Sequence, residues 1–522
     1  MASPAVKKAI SEAALQYQKP EGKVFEYGTA GFRMKADLLN TVVFAVGLLA
    51  GLRSKKLSGQ WIGVMVTASH NPAEDNGVKL VDPMGEMLEA EWEQYATKLA
   101  NAPLDKIADV YDELVKEIDV KMTNPARVVF ARDTRASGSR LVGVLNAALT
   151  ATEVEFIDFK YMTTPQLHYV VRCKNTIGTQ YEYGEPSEQG YYQKLVDSFK
   201  KVMRGVKVQG SLTVDCANGV GGPKLRELMK VLDTPLDIKV VNDDVINPDS
   251  LNFECGADYV KTKQRAPPSS KAAALDRCAS LDGDADRLVY YFLDDSNVFR
   301  LLDGDRIATL AASFIGDLAR NAGIASKLKI GVVQTAYANG ASTDYIEKVL
   351  KLPIICTNTG VKHLHHAALR FDVGVYFEAN GHGTVTFSEN ALKTIKNTEP
   401  QSPAQQRSLE CLQALTDLIN QAVEWLGTYT DLPSRLVRVE VNDRSIFKAY
   451  DAERKLESPA GLQPKIESLQ SRYNKGRSFA RASGTEDAVR VYAEAASRSE
   501  ADDLATRVAN AVREAGTAEP QA

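Results

Sequence analysis

Short apolar runs, each stopping at a loop of glycine, hydroxyl and charged residues, constrain this chain more than any other feature. Trp61–Thr67 (WIGVMVT) stops at Ala68-Ser69-His70-Asn71-Pro72, and Arg127–Ala131 (RVVFA) stops at Arg132-Asp133-Thr134-Arg135. Ser211–Asp215 (SLTVD) leads through Cys216–Gly222 into a helix predicted over Pro223–Val231. Its proline stands just inside the helix start, where a missing N–H costs little. Further strands are predicted at Leu236–Val241, Ala279–Asp282, Leu288–Leu293, Lys329–Thr335, Ile354–Thr357 and Val373–Glu378, with helical patterns such as Leu141–Ala151 between them. Runs this apolar read as buried strands. Their alternation with helices predicts parallel sheets with ligand loops at the strand C-termini. No repeat of 20–50 residues stands out, although three βα blocks in series have the look of distant copies.

A chain of 522 residues suggests three or four domains. Its net charge of -4 argues against a nucleic-acid or anionic-membrane binder, which would carry a basic stripe. No stretch is long and apolar enough to span a bilayer. The first residues read as a short polar helix, Val6 to Tyr17, without the apolar centre of a signal peptide. Six scattered cysteines without a CxxC pair read as reduced, mostly buried thiols. These features predict a soluble cytoplasmic protein. Asn397–Arg407 reads as a surface loop and Gly427–Ser434 as an interdomain linker. Beyond it, strands at Arg435–Val441 and Val489–Ala495 and helices at Ala460–Tyr473 and Ser499–Glu514 predict a small α+β domain.

Four loops carry the chemistry. In Thr67–Pro72, Ser69 stands at a strand end before a proline-fixed turn, with His70 beside it and Lys79 downstream. A serine hydroxyl is a poor nucleophile without help, and an imidazole or ammonium can supply it; as a bare Ser-His pair, the segment reads more readily as a turn or cap. In Asp282-Gly283-Asp284-Ala285-Asp286-Arg287, carboxylates at i, i+2 and i+4 share one side if the loop is extended. Three oxygen ligands suit Mg²⁺. An EF-hand is excluded, because its sixth and twelfth positions would be Arg287 and Leu293 instead of Gly and Glu. In Phe377–Gly383, Glu378 and Asn380 flank a small residue and can grip two neighbouring hydroxyls; Gly381 and His382 complete the loop, and a glycine-rich hairpin turn is the plain alternative. In Arg481-Ala482-Ser483-Gly484-Thr485-Glu486, followed by Arg490, hydroxyls, close N–H groups and two guanidinium groups make an anion grip.

Other segments weigh less. Arg33 follows a flexible Gly31 turn, and Thr359–His363, with Lys362, offers a further substrate loop. His363, His365 and His366 are crowded into one segment with no cysteine or carboxylate nearby in the sequence, and read as helix-surface histidines. Ala217–Gly222 lacks the spacing of a phosphate loop and reads as a turn.

A poised serine, a carboxylate-held metal, a hydroxyl clamp and a phosphate grip are together what phosphoryl transfer on a sugar requires. TASHNP at 67–72, DGDADR at 282–287, EANGHG at 378–383 and RASGTED at 481–487 resemble, in the same order and over essentially the whole chain, the α-D-phosphohexomutase superfamily. Two departures resemble its phosphoacetylglucosamine mutase branch. The sugar loop reads Glu378-Ala379-Asn380-Gly381-His382 where most hexose mutases have Gly-Glu-x-Ser-Gly, and Asp133-Thr134-Arg135 follows the serine loop instead of preceding it. The resemblance implies an α/β protein of four domains around a central cleft. Three related α/β domains with mixed sheets (1–190, 191–298, 299–430) would carry the serine, metal and sugar loops, and a smaller C-terminal α+β domain (431–522) the phosphate loop. It implies interconversion of N-acetylglucosamine 6-phosphate and 1-phosphate, on the route to UDP-N-acetylglucosamine, through phosphorylated Ser69 and a hexosamine bisphosphate. Mg²⁺ would be held by Asp282, Asp284, Asp286 and the Ser69 phosphate. Arg33 and Arg287 would stabilise the phosphoryl group in transfer, and His70 or Lys79 would move the proton. Glu378, Asn380, Gly381, His382 and Lys362 would hold the sugar, and Arg481, Ser483, Gly484, Thr485 and Arg490 the idle phosphate. The rival readings are the same chemistry on an unacetylated hexose, a metal phosphatase, and a non-catalytic phosphosugar sensor, which predicts a lost serine or lost carboxylates.

Overall fold

The computed structural model describes residues 1–28, 31–206, 210–233, 236–418, 432–483 and 487–517. They form two compact bodies, Met1–Asp197 with Val206–Leu301, and Ser198–Gly205 with Leu302–Ala522. The first body holds two five-stranded sheets. One contains β1 (Phe32–Lys35), β2 (Trp61–Val66), β3 (Asp75–Val81), β4 (Arg127–Arg132) and β5 (Glu155–Tyr161), in the order β1-β3-β2-β4-β5. The other contains β6 (Ser211–Asp215), β7 (Asp237–Val241), β8 (Arg277–Leu281), β9 (Leu288–Leu293) and β10 (Phe299–Leu302), in the order β10-β9-β8-β6-β7. In the second body, β11 (Ile330–Thr335), β12 (Ile354–Thr357), β13 (Val373–Phe377) and β14 (Gly383–Phe387) pair in the order β12-β11-β13-β14.

One four-strand unit recurs in all three sheets. An antiparallel hairpin (β2–β3, β8–β9, β13–β14) lies beside two strands parallel to its first member (β4 and β5, β6 and β7, β11 and β12). The sheets are therefore mixed, and the three βα blocks are copies in topology. Chain order separates the first copy from the others. In the second and third copies the hairpin comes last; in the first it comes before its two parallel neighbours. That permutation puts Asp133-Thr134-Arg135, at the end of β4, after the serine loop in sequence while leaving it beside that loop in space.

The first core is built around the helix Asn40–Lys56. Every residue from Thr41 to Lys55 is buried, as expected of a helix apolar on all sides. No helix among the described residues is long and apolar enough to cross a membrane. The N-terminal helix is Pro4–Ala14, shifted toward the N-terminus from the predicted Val6–Tyr17, because Ser3 accepts from Val6 N–H and so caps an earlier start; Val6, Ile10 and Ala14 form its buried side.

The C-terminal sheet has the order β15-β19-β18, from β15 (Ser434–Glu440), β18 (Arg477–Ala482) and β19 (Ala488–Glu494), with a small ribbon of β16 (Lys448–Tyr450) and β17 (Lys455–Ser458). Val439, Val489, Val491 and Ala480 face Ile466, Leu504, Val508 and Val512 of the two helices that cover it. The expected linker is only partly visible: 427–431 lie outside the described residues, and Ser434 already belongs to β15. The expected loop Asn397–Arg407 shrinks to 398–402, because helices end at Asn397 and begin at Pro403. Ser402 accepts from Gln405 N–H, so a capped start with proline at the first position outweighs the polar composition. The six cysteines are free, and Cys356 is the one that is not buried.

Candidate active site

The serine, metal and sugar loops occupy the same place in the repeated unit, the turn of the antiparallel hairpin. Thr67–Glu74 joins β2 to β3, Asp282–Arg287 joins β8 to β9, and Glu378–His382 joins β13 to β14. A hairpin turn projects from the sheet edge, so function falls on loops held by rigid strands.

Ser69 is buried and has φ 55°, left-handed for a residue with a side chain. Such a conformation costs on the order of 1–3 kcal/mol and needs support from its surroundings. Arg135 provides much of it. Its fully buried guanidinium donates to Ser69 O (3.0 Å), Asn71 O (2.9 Å), Pro72 O (2.5 Å) and Asp75 O (2.8 Å), and pairs with Asp133 at 3.0 Å. Asp133 in turn accepts from Thr67 Oγ1 (2.6 Å), and Thr67 Oγ1 accepts from Ser69 N–H (2.9 Å). Asn252 donates to Ser69 O and Asn71 O from the neighbouring sheet's loop. The Asp133-Thr134-Arg135 segment therefore shapes the serine loop, a role its sequence position did not disclose.

Ser69 Oγ donates to Asp282 Oδ2 at 2.6 Å, across 213 residues of chain. The oxygens of Asp282, Asp284 and Asp286 converge within 4.8 Å, and among the described residues this trio is the group close enough to share a metal ion. The convergence does not come from an extended chain. The loop turns, with Ala285 at φ 55°, and Asp282 Oδ1 accepts from the N–H groups of Asp286 and Arg287 (3.1 Å each). Close packing supports the turn: a Cβ on Gly283 would lie 2.6 Å from Ser69 O, and one on Gly219 would lie 2.4 Å from Gly283 O. The glycine-rich turn 217–222 is thus a buttress of this loop.

Burial, and then the Asp286 and Asp284 charges, push Asp282 well above the usual carboxylate range. A dication relieves that repulsion. Asp284 Oδ1 is buried and has no hydrogen-bond partner among the described residues, as a ligand atom would be. Three hard oxygens beside a serine oxygen fit Mg²⁺.

Lys79, on β3, is paired with Asp284 (3.2 Å) and Asp286 (3.1 Å). Burial favours its neutral form, but these carboxylates outweigh burial and raise its pKa. Arg33 donates to Asn71 Oδ1 at 3.3 Å; burial, then the nearby Arg287, lowers its pKa. Arg287 lies 3.7 Å from both Asp282 and Asp258. His70 is partly buried next to Ser69. The structure thus brings Ser69, His70, Lys79, Arg33, Arg287 and the aspartates together in the first body.

The second body carries the other two loops. Glu378 Oε1 accepts from Gly360 N–H (3.0 Å) and Oε2 from Asn380 Nδ2 (3.2 Å), while Asn380 Oδ1 accepts from His382 N–H (2.9 Å). Here too the segment turns, with Gly381 at φ 88°, as a glycine-rich hairpin turn does. The Gly360 contact sets the start of helix Val361–Ala368, with Lys362, beside the sugar loop. His363, His365 and His366 lie on that helix, and His365 Nδ1 is 2.9 Å from the Tyr376 hydroxyl.

Arg481 and Arg490 are direct cross-strand partners on β18 and β19, and Arg490 also faces Arg438 on β15. Like charges opposite one another destabilise a sheet, so this row suits an anion lying across it. Arg481 pairs with Glu453 at 3.4 Å, and Glu453 also accepts from Thr359 N–H (3.0 Å). Ser483 accepts through its carbonyl from Arg444 (2.9 Å). Gly484 and Thr485 lie outside the described residues. The contributions of Arg438 and Glu453 escaped sequence reading, since register alone pairs the first with Arg490 and a remote ribbon delivers the second.

Family models match along the chain: "Phosphoacetylglucosamine mutase AMG1" domain II at 184–289 and domain III at 303–427, and "Phosphoglucomutase/phosphomannomutase" domain I at 53–105 and 104–179 and C-terminal domain at 436–511. The Candida albicans phosphoacetylglucosamine mutase is 46% identical, over 97% of this chain and 100% of that protein. The structure of Aspergillus fumigatus N-acetylphosphoglucosamine mutase with GlcNAc-6P and magnesium is 85% identical, covers 99% of this chain and 100% of its own, and superposes with a TM-score of 0.94. The S69A form of the Aspergillus fumigatus enzyme, in complex with glucose 1,6-bisphosphate, is 86% identical with the same coverage and a TM-score of 0.97. With mixed α/β domains, hairpin-borne loops and such identity over nearly its full length, the chain belongs to the phosphoacetylglucosamine mutases of the α-D-phosphohexomutase superfamily.

Proposed function

We propose that this chain interconverts N-acetylglucosamine 6-phosphate and N-acetylglucosamine 1-phosphate, with Ser69 carrying the phosphoryl group between half-reactions and a bisphosphorylated amino sugar as intermediate. The observation that carries this reading is the 2.6 Å contact between Ser69 Oγ and Asp282 in a cluster of three carboxylates. The magnesium and sugar-phosphate complexes of the Aspergillus fumigatus relatives support it. Free, mostly buried thiols agree with a reducing, cytoplasmic setting. We divide the four domains at 1–190, 191–298, 299–430 and 431–522.

In the first half-reaction the bond between Ser69 Oγ and phosphorus breaks as a sugar hydroxyl oxygen bonds to phosphorus; in the second, the other phosphate of the sugar returns to Ser69. Asp282, Asp284, Asp286 and a Ser69 phosphate oxygen would hold Mg²⁺, which would supply positive charge where the bond breaks. Arg33 and Arg287 add fixed donors for the equatorial oxygens. Lys79, kept protonated by its carboxylate partners, is a poor base, which leaves His70 to take the sugar hydroxyl proton. In the second body, Glu378 and Asn380, with Gly381, His382 and Lys362, hold the sugar ring. Arg481, Ser483, Gly484, Thr485 and Arg490 hold the phosphate that is not reacting.

Peptide-mapping mass spectrometry of the purified protein tests the proposal. Phosphate is expected on Ser69, and adding sugar monophosphate is expected to discharge it as bisphosphate appears. Turnover without phosphate on Ser69 refutes the phosphoserine role. Faster turnover of glucose 1-phosphate or mannose 1-phosphate than of N-acetylglucosamine 1-phosphate refutes the substrate assignment.

A further inference from the structure

Thr164 begins the helix Thr164–Thr176, 120 residues from the metal loop, yet it makes two hydrogen bonds to one residue of that loop. Its N–H donates to Asp284 O at 3.0 Å, and its hydroxyl donates to Asp284 Oδ2 at 2.6 Å. The hydroxyl is not needed for the helix. Capping is done by Thr163, whose Oγ1 accepts from Gln166 N–H while Gln166 Oε1 accepts from Thr163 N–H. Both Thr164 and Asp284 are buried, which disfavours a solvent molecule replacing the hydroxyl.

The consequence lies in which carboxylate oxygen is left over. Asp284 Oδ2 receives both Thr164 Oγ1 and Lys79 Nζ, the latter at 3.2 Å. Oδ1 is buried and receives no hydrogen bond among the described residues. Two donors on one oxygen lock the side-chain torsion and leave Oδ1 as the carboxylate oxygen available to a cation. We infer that Thr164 is a positioning residue for the metal, setting the orientation of Asp284 from outside the ligand shell. This deepens the cation reading of the aspartate trio and rests on it. Groups that orient metal ligands are typically worth about 10–100-fold in metal affinity.

The test uses the full chain, without sugar, and Mn²⁺ alone as probe, its free concentration read by electron paramagnetic resonance. T164V keeps the shape and the backbone bond but removes the hydroxyl, and is expected to weaken Mn²⁺ binding about 10–100-fold. T164S keeps the hydroxyl and is expected to bind within about twofold of the natural chain. Metal-free thermal unfolding of T164V is expected about 3–12 °C below that of the natural chain for the lost buried hydrogen bond, with the fold kept by the helix cap and main-chain tie. Unchanged affinity in T164V, or a tenfold loss in T164S, overturns the Thr164 inference alone. Failure of the natural chain to bind Mn²⁺ overturns the cation reading, and the Thr164 inference with it.

Discussion

Arg135→Met tests how far the serine loop depends on one side chain. The substitution keeps an unbranched apolar stem of similar width and deletes a guanidinium with no exposed surface. It removes four donations to loop carbonyls and the 3.0 Å pair with Asp133. Removing one partner of a buried pair costs about 3–5 kcal/mol. Burial already lifts Asp133 above the usual carboxylate range with Arg135 beside it; without Arg135 it takes up a proton more readily, which favours the lower end. At about 2 °C per kcal/mol, the value at the large end of the 150–250-residue range, the melting temperature of the first body should fall by roughly 6–10 °C. A multidomain chain does not unfold in one step, so the transition to follow is the one that responds to the substitution. Turnover should fall on the order of 100-fold if Ser69 Oγ moves by about 1 Å from Asp282. Differential scanning calorimetry and a coupled mutase assay measure both. Adding Asp133→Asn should restore part of the stability, because it removes the carboxylate that Arg135→Met strands. A melting shift below about 2 °C with turnover nearly intact would refute the clamp reasoning.

Two further outcomes follow from other loops. Gly283→Ala places a methyl group 2.6 Å from the Ser69 carbonyl; backbone on both sides cannot yield cheaply, so a cost of about 1–3 kcal/mol is expected, with loss of turnover that a thermal scan and a rate assay would show together. Arg481→Ala removes a guanidinium whose charged hydrogen bonds are worth about 1.5–3 kcal/mol each, so KM for the sugar phosphate should rise about 10- to 100-fold with a smaller change in kcat; an unchanged KM would remove Arg481 from the phosphate grip.

The strands were legible because their signal is local. SLTVD at 211–215, LVYYFL at 288–293 and IICT at 354–357 are runs rich in β-branched, aliphatic and aromatic residues, too short for helices and bounded by turn residues, and β6, β9 and β12 occupy those residues. β3 was not legible as a strand, since Asn76, Gly77 and Lys79 are poor strand formers; hairpin pairing with β2 and the lysine's carboxylate partners hold it. The aspartates were legible as a group by composition, but the geometry inferred from an extended chain was not the one adopted. A turn built on Asp282 as acceptor aims them instead.

The sequence by itself determined which residues are candidates for the chemistry, because serine, carboxylates and arginines stand in short contiguous motifs at the ends of apolar runs. Tertiary structure alone decided which of them meet. Ser69 reaches Asp282 across 213 positions, Thr164 reaches Asp284 across 120, and Arg135 clamps a loop that precedes it by more than 60. The physical reason is that strand and turn propensity act over a few neighbouring residues, whereas these contacts depend on how sheets pack and on a permuted order of strands in the first domain. A permutation rearranges the sequence while leaving the packed unit unchanged, so the segment that looked displaced along the chain lies where the serine loop needs it.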